Sequence, residues 1–220
     1  MFRAVLFDMD GVIIDSEPIH YELSKLYFNE LGLDIDDEEY YTFVGIGDKE
    51  IFFRLKEKYG LTLASDEMAA TYEKRYIAYL RSMKNEEPIR GIQILVQDLH
   101  KRGLLLAVGS SASRENIEIV LERFQLKEYF NTIVSGYEVE KSKPYPDIYI
   151  KAAEKLGVDP AECIVIEDSS NGIKASRSAG MKSIAYRNHN SGEQDLSQAD
   201  IIIDSFEKVD FDNLVSAISS

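Results

Sequence analysis

The pattern of apolar and polar positions changes character twice along this chain of 220 residues. An apolar, β-forming run, Val5-Leu6-Phe7, leads to Asp8 and Asp10 and stops at Gly11, which predicts a buried strand that delivers carboxylates to its C-terminal edge. Apolar residues then recur at helical spacing, and no strand is indicated before Pro88. The segments concerned run from the helix-start signals Asp15-Ser16-Glu17-Pro18 to Gly32, from Asp37 to Phe43, from Lys49 to Tyr59, and from Asp66 to Met83 after an opening Ser65.

From Pro88 onward, helical and strand patterns alternate. The strands indicated in this region are Leu104–Val108, Thr132–Val134, Cys163–Ile166, Ser183–Ala185 and Ile201–Ile203, with a last helix that Asp210 caps. Alternation of this kind predicts a doubly wound, Rossmann-like α/β core with a parallel sheet and helices on both faces. Several helices before the second strand are too many for a single crossover, so they predict an insertion. We therefore expect a catalytic core of residues 1–15 and 87–220 and a helical cap domain of residues 16–86.

Composition narrows the class of partners. The formal net charge is −14, with 25 Lys and Arg residues against 39 Asp and Glu residues. A field of this sign repels nucleic-acid phosphates and anionic membrane surfaces, so we expect neither as a partner. The single Cys163 cannot form an intrachain disulfide, and Met1 leads directly into the first strand without an apolar signal segment. Together these features favour a cytoplasmic protein.

Charged and hydroxyl side chains follow four of the predicted strands at the point where each strand ends. Asp8 and Asp10 follow the first strand; Gly109-Ser110-Ser111-Ala112-Ser113, Lys141-Ser142-Lys143 and Glu167-Asp168-Ser169 follow the next three. Each group alone has a structural explanation, such as a helix cap or a solvated loop charge. Because the carboxyl ends of parallel strands meet at one edge of a sheet, their convergence instead favours a ligand site.

The chemistry of these side chains indicates the ligand. Clustered carboxylates repel one another unless a cation neutralises them, and hard oxygen ligands suit Mg²⁺. A carboxylate can attack a phosphoryl group bound at such a site, while a serine hydroxyl, backbone amides and a lysine take up its negative charge. The pattern therefore favours phosphoryl transfer.

The four groups, in this order, resemble the four motifs of the haloacid dehalogenase-like superfamily along essentially the whole chain. The helical insertion and the opening Asp8-Met9-Asp10-Gly11-Val12 are similar to those of the small-cap, β-phosphoglucomutase-like phosphatase branch. This resemblance implies a Mg²⁺-dependent phosphohydrolase that acts on a small phosphorylated metabolite, such as a sugar phosphate, and a monomeric protein.

The resemblance also implies a role for each residue that matches a motif. Asp8 would be the nucleophile that forms an aspartyl-phosphate, and Asp10 would protonate the leaving oxygen and then deprotonate the attacking water. Ser110, the Ser111 amide and Lys143 would bind the transferring phosphoryl group. Mg²⁺ would be held by Asp8, the Asp10 carbonyl and Asp168, with Glu167 reaching it directly or through water.

Two sets of residues in the insertion bear on specificity. The turn around Gly45 resembles the specificity loop of this family. His20 in the first inserted helix either contacts the substrate, assists domain closure or is a partly buried helix histidine near the hinge. In β-phosphoglucomutases a lysine precedes the equivalent glycine and an arginine follows three residues after it, whereas this chain has Val44 and Asp48 there. An apolar residue and an acid do not grip a second phosphate, so a phosphatase is favoured over a mutase, which stays the alternative. A non-catalytic binding protein is a third hypothesis, which the intact motif set disfavours.

Overall fold

The chain forms two compact units in a computed structural model that describes residues 2–84, 86–207 and 209–218. The sheet unit comprises Met1–Asp15 and Glu86–Ser220, and the helical unit comprises Ser16–Asn85.

The helical unit is built from four amphipathic helices. They are α1 (Glu17–Glu30), α2 (Asp37–Tyr41), α3 (Asp48–Tyr59) and α4 (Ser65–Ser82). Their apolar faces meet in a cluster that includes Phe28, Phe52, Met68 and Tyr72. The predicted ends agree closely with these bounds, except that Ala64 rather than Ser65 occupies the N-cap of α4, and Ser65 is its first helical residue.

The sheet unit contains one six-stranded sheet in the order β3-β2-β1-β4-β5-β6, and every pairing is parallel. The strands are β1 (Ala4–Phe7), β2 (Leu105–Ser110), β3 (Thr132–Ser135), β4 (Cys163–Glu167), β5 (Lys182–Tyr186) and β6 (Ile201–Ile203). The helices are α5 (Ile92–Lys101), α6 (Arg114–Arg123), α7 (Asp147–Leu156), α8 (Ser170–Ser178) and α9 (Phe211–Ile218). The predicted α/β fold class is thus confirmed.

The central strand β1 sets the position of everything at the carboxyl edge. Leu6 of this strand packs with Ala107, Val165 and the α7 residues Ile148 and Tyr149, all fully buried. Phe7 lies opposite Val108 of β2 and Ile166 of β4. The chain adds β2 and β3 on one side of β1 and then β4, β5 and β6 on the other. Asp8 therefore emerges at a topological switch point, where open α/β sheets bind ligands.

Five of the six strands are longer than the sequence pattern predicts, and two of these extensions reach the site. Strand β2 continues through Gly109 to Ser110, because Ser110 pairs in register with Ser135 of β3, and β4 includes Glu167, which pairs with Ala185 of β5. Ser110 and Glu167 therefore end strands rather than begin loops. Asp210 caps α9 as predicted, since its Oδ1 accepts hydrogen bonds from the amides of Asp212 (3.1 Å) and Asn213 (3.3 Å).

None of the helices in the described part of the chain combines the length and the apolar character that a membrane span needs.

Candidate active site

Asp8, the first residue after β1, is held in a defined orientation. Its amide donates to the Ile166 carbonyl at 3.0 Å, which continues the pairing of β1 with β4. Its Oδ1 accepts a hydrogen bond from the Met9 amide at 2.7 Å and lies 2.9 Å from Lys143 Nζ. Both donors reach Oδ1, so among the described residues Oδ2 is the carboxylate oxygen without a donor. The carboxylate is thereby fixed through one oxygen and left available through the other.

Lys143, from the loop before α7, supplies the positive charge of the site. Its side chain is 5% exposed, and Nζ lies 2.9 Å from Asp8 Oδ1 and 2.7 Å from Glu167 Oε1. An ammonium group has three protons, so two serve these carboxylates and the third remains for another acceptor. This geometry suits a lysine that binds a phosphoryl group beside Asp8.

Asp10 and Ser110 meet across the site from adjacent strand ends. The Ser110 hydroxyl donates to Asp10 Oδ2 at 3.4 Å and accepts from the Ala112 amide at 3.0 Å. Asp10 Oδ1 is buried and has no hydrogen-bond partner among the described residues. A buried, unpartnered carboxylate oxygen is costly and indicates that a ligand completes its hydrogen bonds.

The two remaining serines of this segment make other contacts. Ser111 is exposed, and its hydroxyl is 3.0 Å from that of Ser142. Ser113 caps α6 by accepting a hydrogen bond from the Asn116 amide at 3.4 Å. Of these serines, Ser110 is therefore the one whose hydroxyl contacts the acid pair.

Asp8, Glu167 and Asp168 form a buried group whose carboxylate oxygens lie within 4.8 Å of one another. The Asp10 carboxylate is outside this group; its main-chain carbonyl was the predicted ligand. Hard oxygen donors gathered at one point suit a divalent cation such as Mg²⁺. The residues present therefore fit the predicted metal, and the buried acidic group is a possible metal site.

The pKa shifts in this acidic group also favour a bound cation. Burial and the neighbouring Glu167 carboxylate raise the pKa of Asp8 well above its ordinary value. The same two causes raise the pKa of Asp168 to about 8. Burial also opposes ionisation of Glu167, but Lys143 and the hydrogen bonds of this carboxylate outweigh it and lower its pKa. Lys143 alone thus leaves repulsion on Asp8 and Asp168 that a bound cation would relieve.

Two glycines make room for the acids. Gly11 has φ of +74°, and a Cβ there would lie 1.8 Å from Asp168 Oδ2. At Gly172, in the first turn of α8, a Cβ would lie 1.7 Å from Glu167 Oε1. Any larger residue at either position would displace a carboxylate of the site. The sequence prediction did not include Gly172.

A loop after β5, which the sequence prediction also missed, braces the site. The Ser191 hydroxyl donates to Asp168 Oδ2, and Asn188 Nδ2 donates at 3.2 Å to the Gly11 carbonyl and to Asp15 Oδ1. Asn190 donates to the other Asp15 oxygen at 2.6 Å. The carboxyl end of β5 lies at the same edge of the sheet as those of the other strands. Because ligands bind at that edge, the position of this loop after β5 was a signal that could have identified it.

The predicted specificity residues belong to the helical unit. His20 Nδ1 is 2.8 Å from the Tyr72 hydroxyl, and its ring stacks on Tyr76 with centroids 4.2 Å apart. Gly45 has φ of +77°. Val44 packs against the helical core, and Asp48 begins α3, where an acid is favourable at the N-terminus.

A shallow pocket of about 500 Å³ on the helical unit does not resemble a catalytic site. Its cations face acids, since Lys58 lies 2.8 Å from Glu39 and Arg54 lies 2.7 Å from Glu50. We therefore assign the chemistry to the edge of the sheet.

Among the described residues, a buried lysine thus lies between two carboxylates, beside an acid with an unpartnered oxygen. Nucleophilic group transfer needs groups of this kind. The model of one family, described as haloacid dehalogenase-like hydrolase, matches residues 5–186. The chain belongs to this family, which confirms the predicted resemblance and an enzyme of the hydrolase class.

Similar proteins include enzymes with named activities. The bifunctional riboflavin kinase/FMN phosphatase of Arabidopsis thaliana is 35% identical over 182 residues, which cover 82% of this chain and 47% of that protein. This chain thus spans about half the length of that relative. Hexitol phosphatase B of Escherichia coli is 33% identical over 184 residues, 82% of each chain. The crystal structure of β-phosphoglucomutase from Clostridium difficile superposes with a TM-score of 0.86 at 27% identity and covers 100% of this chain and 98% of that one.

Proposed function

We propose that this protein is a Mg²⁺-dependent phosphatase that hydrolyses a small phosphorylated sugar or sugar alcohol through an aspartyl-phosphate on Asp8. The observation that carries the proposal is the arrangement around Asp8. One Asp8 oxygen is fixed by Met9 and Lys143, and Asp10 presents a buried oxygen that has no partner in the described part of the chain. A fixed carboxylate beside a proton donor is what nucleophilic attack on a phosphate ester requires.

In the first step, Asp8 attacks phosphorus and the bond from phosphorus to the ester oxygen breaks. Asp10 gives that oxygen a proton, so the sugar leaves as an alcohol. In the second step, Asp10 takes a proton from water, which attacks the aspartyl-phosphate and releases inorganic phosphate and the Asp8 carboxylate. Lys143 and Ser110 stabilise the charge that develops on the phosphoryl oxygens.

Asp8, Asp168 and the Asp10 carbonyl would hold Mg²⁺, with Glu167 nearby. When bound, the cation would neutralise charge among the carboxylates and on the phosphoryl group. The chain's own contribution is to gather the acids, bury them and keep them in place with Gly11, Gly172 and the hydroxyl of Ser191.

The substrate class rests on the relatives. Hexitol phosphatase B is named for a phosphorylated sugar alcohol, and it matches 82% of this chain. The predicted contacts of His20 and Gly45 with the substrate stay predictions. The cytoplasm and a monomeric state are proposed with the function, and the single buried Cys163 is compatible with a reducing compartment.

A mutase is the second candidate, and the similarity to β-phosphoglucomutase favours it. Such an enzyme would return the phosphoryl group to a reoriented sugar instead of to water. The packing of Val44 against the helical core and the position of Asp48 at the start of α3 support the phosphatase, because neither provides a cation for a second phosphate.

The test is a screen of phosphorylated sugars, sugar alcohols and nucleotides that scores free phosphate and isomerised sugar phosphate in parallel. We expect phosphate release that EDTA abolishes and Mg²⁺ restores, and a loss of several orders of magnitude in Asp8→Asn. Asp98→Asn, which removes an exposed carboxylate paired with Arg102, is the matched control and should retain full activity. Isomerised product with little free phosphate would establish the mutase instead.

A further inference from the structure

The Glu167 carboxylate is fully engaged by protein donors. Oε1 accepts from Lys143 Nζ at 2.7 Å and from the Tyr149 hydroxyl at 2.6 Å. Oε2 accepts from the Asp168 amide at 3.0 Å and from the Ser169 amide and hydroxyl at 3.1 and 3.0 Å. Five donors use the acceptor capacity of both oxygens, so this carboxylate occupies one fixed position.

Tyr149 is linked to Lys143 through both its hydroxyl and its ring. Its hydroxyl shares Glu167 Oε1 with the ammonium, and its ring centroid lies 5.0 Å from Nζ, within the range of a cation–π contact. The residue is fully buried on α7. A Cβ on Gly109 would lie 3.2 Å from the ring, so the β2 backbone closes the space behind it.

The hydroxyl of Tyr149 has a role that volume alone does not explain. A phenylalanine would fill the same space without burying a polar group, and burial of a hydroxyl is favourable only when its hydrogen bond is made. That bond goes to the one oxygen that also orients Lys143. The hydroxyl therefore bears on the direction in which the ammonium points.

We propose that Tyr149 is a positioning residue for Lys143. Its hydroxyl fixes Glu167 Oε1, and its ring supports the ammonium from the side, so that Nζ is kept 2.9 Å from Asp8 with one proton left for the phosphoryl group. The consequence for catalysis rests on the proposed function, whereas the positioning itself does not.

The test compares Tyr149→Phe with Tyr40→Phe. Tyr149→Phe keeps the ring and removes only the hydroxyl. Tyr40 is the matched control because it is 4% exposed, lies in the helical unit and donates to Glu17 Oε1 at 2.7 Å, so its loss removes the same kind of bond elsewhere. Two quantities are measured: kcat and KM for p-nitrophenyl phosphate, and the side-chain NH₃⁺ signal of Lys143 in lysine-selective ¹H–¹⁵N NMR spectra, assigned by its loss in Lys143→Met.

In Tyr149→Phe we expect kcat to fall about tenfold with KM changed less than about twofold. This is the expected effect of losing one hydrogen bond to a charged group when that bond stabilises the transition state and not the bound substrate. The Lys143 signal should shift or broaden as the ammonium becomes less constrained. Tyr40→Phe should leave both quantities at wild-type values.

An unchanged Lys143 signal in folded Tyr149→Phe would overturn the proposal. The two proposals can fail separately. If the wild-type protein releases no phosphate from any phosphomonoester, the proposed function is refuted. If the Lys143 signal nevertheless shifts or broadens in Tyr149→Phe, the positioning role is supported. If Tyr149→Phe does not fold, the wild-type protein decides: a slowly exchanging Tyr149 hydroxyl proton with a cross-peak to the Lys143 ammonium supports the role, and its absence contradicts it.

Discussion

For Gly172→Ala, helix propensity and tertiary packing predict opposite changes in the stability of the protein. Gly172 lies in the first turn of α8, and alanine is favoured over glycine in a helix by about 1 kcal/mol. By helix propensity alone the variant should be more stable than the wild type. Its Cβ, however, would lie 1.7 Å from Glu167 Oε1 and 1.8 Å from the carboxyl carbon.

The size of the clash sets the expected cost. A carbon and an oxygen approach no closer than about 3.3 Å without strain, so the Glu167 carboxylate would retreat by about 1.6 Å. A shift of that size breaks hydrogen bonds such as those from Lys143 and Tyr149, each worth about 1.5 to 3 kcal/mol because a charged group is involved. After the gain in helix propensity, we expect a net loss of about 2 to 5 kcal/mol in the free energy of unfolding.

Urea unfolding followed by far-UV circular dichroism measures this loss, because the chain has no tryptophan to report by fluorescence. Phosphatase activity should fall at least about a hundredfold, since Lys143 loses one of its two carboxylate partners. Gly47→Ala is the control, because Gly47 has φ of −69° and a Cβ there meets no atom within 4 Å. A Gly172→Ala variant that is more stable than the wild type and fully active would refute the geometry assigned to Glu167.

Three further outcomes follow from burial and contacts. A thiol reagent should label Cys163 only after unfolding, because burial raises its pKa to about 11 and leaves about one thiol in a thousand ionised at pH 8. Mass spectrometry measures the labelling, and rapid labelling of the native protein would contradict this prediction. Phe52→Ala should cost about 3 to 5 kcal/mol in urea unfolding, because Phe52 is 2% exposed in the helical core, whereas Leu63→Ala, at a 41% exposed position, should cost less than about 0.5 kcal/mol. Ser191→Ala should weaken Mg²⁺ binding about tenfold by isothermal titration calorimetry, because the hydroxyl orients Asp168, and an unchanged affinity would remove Ser191 from the site.

Sequence periodicity predicted which side chains reach the carboxyl edge of the sheet, because the apolar run of a strand is a local pattern and the polar residues that follow it lie at that edge. Asp8, Ser110, Lys143 and Glu167 were all placed there by that rule. The structure brings Lys143 into contact with Asp8 and Glu167, and Ser110 into contact with Asp10. The ends of β2 and β4 were less predictable. Strand length at those points depends on pairing with β3 and β5, which no local pattern reveals.

The supporting residues were beyond prediction for a related reason. Tyr149 follows Lys143 by six residues, and only the packing of α7 on the sheet carries its hydroxyl to Glu167. In the sequence, Gly172 looks like an ordinary residue at the start of a helix. Only the folded structure shows that it leaves space for the Glu167 carboxylate. Ser191 lies in the loop at the carboxyl end of β5, which the strand-end rule indicates, but no spacing in the sequence identifies its hydroxyl as the one that contacts Asp168.

The central claim is that Asp8 becomes phosphorylated during turnover, and chemical trapping tests it most directly. Borohydride reduces an acyl phosphate to an alcohol, so quenching the enzyme during turnover should convert residue 8 to homoserine, detected by peptide mass spectrometry. We predict this conversion with substrate and Mg²⁺ present, and none in Asp8→Asn or after EDTA. Sustained turnover with an unmodified Asp8, or with conversion at another carboxylate, would contradict the account.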